Sequence, residues 1–146
     1  MKKIRIKKNY GILFFVTGLS GSGKSSISKE LVKKIKKKYG PTFLYSGEKI
    51  RKVFSFNGYS RNDRIELGKK NINLINYILS QKINVLYDAI ALLKILRTLK
   101  RKKIKNYIEI FIKADVKKII KLNKKNKIYK ARKKNIVGIH IKTEFP

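Results

Sequence analysis

The stretch "GLSGSGKSS" (18–26) follows the apolar run "GILFFVT" (11–17) and precedes "ISKELVKKIKKKYG", and this junction constrains the fold more than any other part of the chain. A short run rich in β-branched and aromatic residues, closed by glycines, reads as a buried strand. From Lys24 to about Lys38 the apolar residues Ile27, Leu31, Val32 and Ile35 recur at helical spacing, and Gly40-Pro41 ends the helix. A strand that turns through glycines into a helix can aim successive backbone N–H groups at one point, with the positive helix terminus behind them. Gly18-x4-Gly23-Lys24-Ser25 has the spacing of a phosphate-cradling P-loop, in the strand-to-helix context that the motif requires. The expected cradle is Gly18, Ser20, Gly21, Ser22, Gly23, Lys24, Ser25 and Ser26. In it, the Lys24 ammonium reaches the terminal phosphates of a nucleotide and the Ser25 hydroxyl ligates Mg2+.

The remainder alternates in the same way. "TFLY" (42–45), "INVLYD" (83–88) and "NYIEIFIKA" (106–114) read as further strands. "EKIRKVF", "SRNDRIELGKKNINLINYILSQK", a segment running to about Lys103, and "DVKKIIKLNKK" read as helices, with Ser60 and Asp115 as candidate caps. The lysine-rich stretch 117–134 keeps Ile119, Ile120, Leu122, Ile128 and Tyr129, which argues for helix rather than a solvated tail. Strands alternating with helices predict an α/β fold of the P-loop NTPase type. The expected form is a three-layer α/β/α sandwich with a parallel sheet of four to five strands, in one domain spanning 1–146.

Charge bears on the partners. Thirty-nine Lys plus Arg against eight acids gives a net charge of +31. A nucleic-acid partner is one reading of that excess, because clustered lysines neutralise phosphates. The lysines fall on nearly every predicted element and no nucleic-acid-binding signature accompanies them, so solvated faces are the favoured reading. A small polyanion such as a nucleotide meets an attractive field in either case. No run of eighteen apolar residues occurs, so no membrane span is expected. The basic N-terminus leads into a short apolar run without a small-residue cleavage site, which disfavours a secretion signal. The absence of cysteine excludes disulfides and thiolate metal sites and suits a cytoplasmic setting.

A bound triphosphate needs carboxylates to place the metal and to activate an acceptor. Glu30 and Glu109 lie inside predicted elements, Asp115 is a helix cap, and Glu144 is close to the end of the sequence. Glu48, Asp63, Glu66 and Asp88 remain. Glu48 follows the second strand and Asp88 ends the third, so both fall at the carboxyl edge of a parallel sheet, where ligands bind in this architecture. Asp88 can equally be a solvated strand-end residue or a helix cap, and Glu48 a first-turn acid favoured by the dipole.

The order and spacing of "FFVTGLSGSGKSSISKEL", "LYSGEKIRKVF", "GYSRNDRIE", "IEIFIKADV", "IYKAR" and "VGI" resemble the adenylylsulfate kinases, over nearly the whole chain from Gly11 to Pro146. The resemblance implies a P-loop kinase that passes the γ-phosphate of ATP to the 3′-hydroxyl of adenosine 5′-phosphosulfate. It places Ser46-Gly47-Glu48 on the family's Asp-Gly-Asp and gives Glu48 a metal or base role. Arg51 and Arg64 become acceptor-binding guanidiniums, a chemistry that grips phosphate or sulfate oxygens bidentately. Tyr59 becomes the aromatic of the acceptor pocket and Lys94 a further acceptor contact. Arg51 and Arg64 can otherwise be cations on a solvated helix face. A nucleotide acceptor is thus the implied partner, with a homodimer possible.

Several positions depart from that pattern. Ser46 replaces an aspartate, Leu67 an asparagine, Ala91 a serine, Asn123 an arginine, Lys124 an acid, and His140 an acid. The lid segment "IYKARKKNIVGI" is shorter than the family's. These changes fall on acceptor and lid positions, whereas the phosphate cradle is complete. Asp88 is expected to take over metal-water positioning from the carboxylate missing at Ser46. The single histidine, His140, has no partner with which to hold a metal and is expected to be structural or exposed. "ALLK" (91–94) and "NIVGI" are similar to cytidine diphosphoramidate kinases, so a kinase of another nucleotide-linked anion is the alternative. A nucleotide- or polyanion-binding protein without catalysis is the third reading.

Overall fold

The computed structural model describes residues 7–122 and 135–146. Four strands, β1 (Leu13–Gly18), β2 (Thr42–Ser46), β3 (Asn84–Ala89) and β4 (Tyr107–Ile112), form one parallel sheet in the order β2-β3-β1-β4. The helices are α1 (Lys24–Tyr39), α2 (Gly47–Val53), α3 (Arg61–Ser80), α4 (Lys94–Lys103) and α5 (Val116–Leu122). This is the expected three-layer arrangement, with four strands among the described residues.

A strand with neighbours on both edges and helices on both faces must be apolar throughout. β1 comes close to this condition: all six of its residues are buried, and Thr17 is its one polar side chain. Leu13 and Phe15 face one way, into a core built with Ile72, Ile75 and Leu79 of α3 and Leu96 of α4. Phe14 and Val16 face the other way and pack with Ile35, Leu31 and Val32 of α1. Ile27, expected on that apolar stripe, is instead 44% exposed. The helix starts at the carboxyl edge of the sheet, so only its later turns lie over the strands. β2 has one sheet neighbour, and its Phe43 and Leu44 are correspondingly exposed.

The caps form as the residue types require. The Ser60 hydroxyl accepts from the Asp63 N–H at 3.1 Å, and the Asp63 carboxylate accepts from the Ser60 N–H at 2.8 Å, a reciprocal box at the start of α3. Such a cap contributes about 1 kcal/mol to helix stability. The Asp115 carboxylate accepts from the Lys117 N–H at 2.7 Å and opens α5 in the same manner.

Two polar groups interrupt the core beneath β1 and β3. The Tyr45 hydroxyl donates to Asn71 Oδ1 at 2.9 Å, and Asn71 Nδ2 donates to the Tyr87 hydroxyl at 3.2 Å, so three buried groups satisfy one another. Lys100 is only 1% exposed, with its ammonium 3.4 Å from the centroid of the Phe15 ring. Desolvation lowers its pKa from 10.5 to about 7, opposed by Glu109 on β4 and reinforced by Arg97 and Arg101 of its own helix. Between those two values the unfolded chain binds more protons than the folded one, so this group makes stability rise with pH. Lys100→Met should therefore raise the thermal midpoint at pH 7 and flatten its climb between about pH 7 and pH 10. Wild-type and variant profiles that run parallel across that range would contradict the buried ammonium.

Candidate active site

The turn after β1 has the backbone of a phosphate cradle. Gly21 (φ 77°) and Gly23 (φ 89°) take left-handed conformations that favour glycine. At Gly18 the constraint is space: a Cβ there would lie 2.7 Å from the Ile112 carbonyl oxygen and 2.9 Å from Ser22 Oγ. α1 then begins without a side-chain cap and without an acid in its first turn, so no carboxylate of the helix competes with an anion at its positive end. Ser22 Oγ is buried without a hydrogen-bond partner among the described residues. A polar atom desolvated in this way costs about 1–3 kcal/mol unless a ligand pairs with it. Lys24 is 8% exposed and donates from Nζ to the Leu19 carbonyl at 2.6 Å. Ser25 and Ser26, in the first turn of α1, are exposed. The residues fit a nucleotide phosphate.

Sheet register brings the carboxylates to this turn. Asp88 pairs with Val16 on one side and with Ser46 on the other, so the ends of three strands meet beside the cradle. Burial raises the Asp88 pKa, while hydrogen bonds from the Ser46 hydroxyl and the Gly47 N–H and the charge of Lys24 pull it down. Glu48, in the first turn of α2, is close enough to push it up again. Asp88 and Glu48 offer only oxygen donors, the kind that suits Mg2+.

One helical turn beyond Glu48, a second group assembles. The Arg51 guanidinium donates to the carbonyls of Phe56 and Gly58, lies 4.3 Å from the centroid of the Tyr59 ring and 5.3 Å from that of Phe56. Arg64 donates from Nε to the Tyr59 carbonyl and from a terminal nitrogen to the Asn135 carbonyl, each at 3.0 Å. Burial, then the nearby Arg51, lowers the proton affinity of Arg64, and Ser60 holds the Asp63 carboxyl below its usual range. Two guanidiniums and one half-exposed tyrosine ring thus converge beside a carboxylate that is committed to its cap. That composition suits a planar, anionic ligand.

Residues 10–146 match the family described as adenylylsulphate kinase. The chain belongs to that family. It is 31% identical to the cytidine diphosphoramidate kinase of Campylobacter jejuni over 142 residues, 95% of this chain and 84% of that protein. It is also 31% identical to the adenylyl-sulfate kinase of Gloeothece citriformis over 108 residues, 73% of this chain and 61% of that protein. Among solved structures it resembles the Mycobacterium tuberculosis APS kinase in complex with AMPPNP and APS. The TM-score is 0.84 at 26% identity, with 94% of this chain and 84% of the other covered.

Within this kinase fold, the two expected groups are contiguous. Gly18, Ser20, Gly21, Ser22, Gly23, Lys24, Ser25 and Ser26 run from the end of β1 into the first turn of α1, and Ser46, Glu48 and Asp88 lie at the ends of the neighbouring strands. Arg51 links the groups, since its charge acts both on Asp63 and on Tyr87, the neighbour of Asp88. Lys94 is exposed at the start of α4, and no contact joins its side chain to either group among the described residues. Leu67 is buried, 4% exposed, in the core. His140 is exposed, and its Nδ1 accepts from the Ile136 N–H at 3.3 Å, a structural role as expected. Asn123, Lys124, Ile128 and Tyr129, with most of the lid, lie outside the described residues.

Sequence reasoning passed over Glu144. Its carboxylate accepts from the Lys94 N–H and from Arg61 at 3.1 Å, and its own N–H donates to the Leu92 carbonyl at 2.9 Å. Arg97, buried in α4, donates to the carbonyls of Glu144 and Phe145. The segment around Glu144 thereby fastens the start of α3 to the start of α4. Only its acidity at a helix start, once the fold is known, marks it out.

Ser46 was expected as a loss, and it is a partner of Asp88. Removing its donor in Ser46→Ala should raise the Asp88 pKa further, because that bond favours the ionised form. The acid limb of the rate profile should move to higher pH, as read by initial rates across a buffered series. An unmoved limb would take Asp88 out of the rate-determining protonation.

Proposed function

We propose that this chain transfers the γ-phosphoryl group of ATP, with Mg2+, to a hydroxyl of a nucleotide bearing a second anionic group, and that cytidine diphosphoramidate is the acceptor. The observation that carries the choice of acceptor is buried Leu67. At the position where the adenylylsulfate-kinase pattern has an asparagine, the chain carries an apolar side chain packed in the core, which fits a changed nucleoside pocket. The identity to the Campylobacter jejuni cytidine diphosphoramidate kinase over 95% of this chain supports the same reading. Adenosine 5′-phosphosulfate is the second acceptor, favoured by the family match over residues 10–146.

In this reading Lys24 exchanges its bond to the Leu19 carbonyl for a phosphate oxygen, and the amides of Gly21 to Lys24 take the others. Ser25, Asp88 and Glu48 would hold Mg2+, which supplies positive charge to the phosphate oxygens. Arg51 and Arg64 hold the anionic part of the acceptor and keep its hydroxyl in line, with Tyr59 against the nucleoside. Asp88 or Glu48 orients that hydroxyl and accepts its proton as the oxygen–phosphorus bond forms. The bond from the γ-phosphorus to the bridging oxygen breaks, and ADP departs.

The test is to incubate the pure protein with Mg-ATP and each acceptor in turn, and to identify the product by mass. Phosphorylated cytidine diphosphoramidate is expected; a product from adenosine 5′-phosphosulfate alone would assign the second reading. Lys24→Ala should cost at least about 10²–10³-fold in turnover, the scale for removing one preorganised donor. Arg64→Ala should chiefly raise the KM for the acceptor. Should both variants lose only ATP affinity, the acceptor site has been misplaced.

A further inference from the structure

All eight acids of the chain lie among the described residues, and none lies at the amino edge of the sheet. Four segments meet there in sheet order: the turn before β2, the turn before β3, residues 7–12 before β1, and residues 104–106 before β4. They carry exposed lysines throughout. Lys36, Lys37 and Lys38 end α1, Lys82 precedes β3, Lys7 and Lys8 precede β1, and Lys102, Lys103 and Lys105 precede β4. None of these lysines forms an ion pair with an acid among the described residues. Elsewhere the acids are partnered, as in Glu30 with Lys33, Glu66 with Lys70 and Glu144 with Arg61.

Helix dipoles account for part of this charge, since lysines favour helix C-termini. They do not account for Lys7, Lys8, Lys82 or Lys105, which lie outside the last turns of the helices. α3 carries no basic residue in its last turn. The walls around these lysines are also built rather than loose. Buried Asn106 accepts from the Lys7 N–H at 2.8 Å and donates to the carbonyls of Lys7 and Tyr10, at 3.1 and 2.9 Å. Buried Asn84 accepts from the Ile12 N–H and donates to the Tyr39 carbonyl, each at 2.9 Å. Gly11 must be glycine, since a Cβ there would lie 2.1 Å from the Ile83 carbonyl oxygen. Asn9 (φ 67°) and Lys82 (φ 63°) are held in the left-handed region on either side.

The result is a recess of about 290 Å³ lined by Lys7, Lys8, Lys82, Tyr39 and Asn84, beside a second lined by Lys36, Pro41 and Phe43. Tyr39 is 40% exposed between them, with Lys38 5.4 Å from the centroid of its ring. We propose that this edge, remote from the phosphate cradle, is a docking track for a single-stranded nucleic acid, with Tyr39 as a stacking platform and the lysines on successive phosphates. Two observations favour that occupant. Helix C-termini, not N-termini, point to this edge, so a lone phosphate finds no ring of N–H donors, whereas a polyanion gains from several lysines together. The surface is recessed with an aromatic ring in the hollow, which suits a threaded strand with stacked bases better than a flat bilayer.

The test measures anisotropy of a fluorescein-labelled oligouridylate against salt, with the 146-residue chain. Wild type should bind with an affinity that falls steeply with salt. Lys7→Glu/Lys8→Glu/Lys82→Glu should lose roughly tenfold or more, as should Tyr39→Ala in part. Lys29→Glu/Lys69→Glu/Lys118→Glu, an equal charge change elsewhere, should stay within about twofold. Phosphoryl transfer should be unchanged in the first triple variant, since none of its residues is near the cradle. If that variant fails to fold, the matching Lys→Gln set reads the same contacts without reversed charge. Equal losses in the two triple variants, no binding by wild type, or binding to anionic vesicles in preference to the oligonucleotide would each overturn the proposal.

Discussion

The site rests on one register. Asp88 pairs with Val16 and Ser46, so the end of β3 lies between the start of the phosphate turn and the start of α2. Every other placement follows from this. The Ser46 hydroxyl reaches Asp88, Gly47 can donate its N–H to the same carboxylate, and Glu48 begins a helix whose next turn presents Arg51. A shift of one residue would turn the side chain of Asp88 to the other face of the sheet. Packing prevents that shift, because Phe15 and Tyr87 pack together in one core layer, with ring centroids 5.2 Å apart, while Phe14 and Leu86 fill the other.

Most of the fold and the phosphate cradle were legible because they depend on local rules. Glycines at positive φ, a β-branched run and a reciprocal Ser60–Asp63 cap are short-range features that leave clear marks in sequence. The same rules fail where burial is set by tertiary geometry. Ile27 satisfied the helical stripe, but it sits in a turn that the sheet does not reach. Ser46 counted as a missing carboxylate, because only the pairing of β2 with β3 shows its hydroxyl beside Asp88. Glu144 is separated from Arg61 by more than half the chain, and no spacing rule connects them. Lys94 and the lid positions belong to the family resemblance rather than to local physics, and for them the resemblance remains the only guide.

The acceptor side shows how a departure from a family pattern can be absorbed. A second carboxylate at position 46 would have repelled Asp88 in a partly desolvated site, where like charges strongly raise a pKa. A serine there removes the repulsion and supplies a donor, so the remaining carboxylate keeps more of its charge at a given pH. Lys24 contributes in the same direction through its charge. The cost is one negative charge fewer beside Asp88, which leaves Glu48, exposed and in a first helical turn, as the second acid acting on it.

The two ends of the sheet are electrostatically unlike, and the asymmetry has a common root. At the carboxyl edge, N-termini of α1, α3 and α4 tolerate or recruit acids: Asp63 caps one and Glu144 another, while α1 is left uncapped for phosphate. At the amino edge the same helices present carbonyls, which cations satisfy. The eight acids of the chain lie at helix starts, along helix flanks, at the ends of β2 and β3 and within β4, and none stands at the opposite edge. Self-repulsion among those lysines opposes compactness. Asn84 and Asn106 hold the segments together there with uncharged side chains, so the edge stays ordered without lowering its positive potential. An ordered, unneutralised cationic edge is thus available to a polyanion at little further cost in conformational entropy.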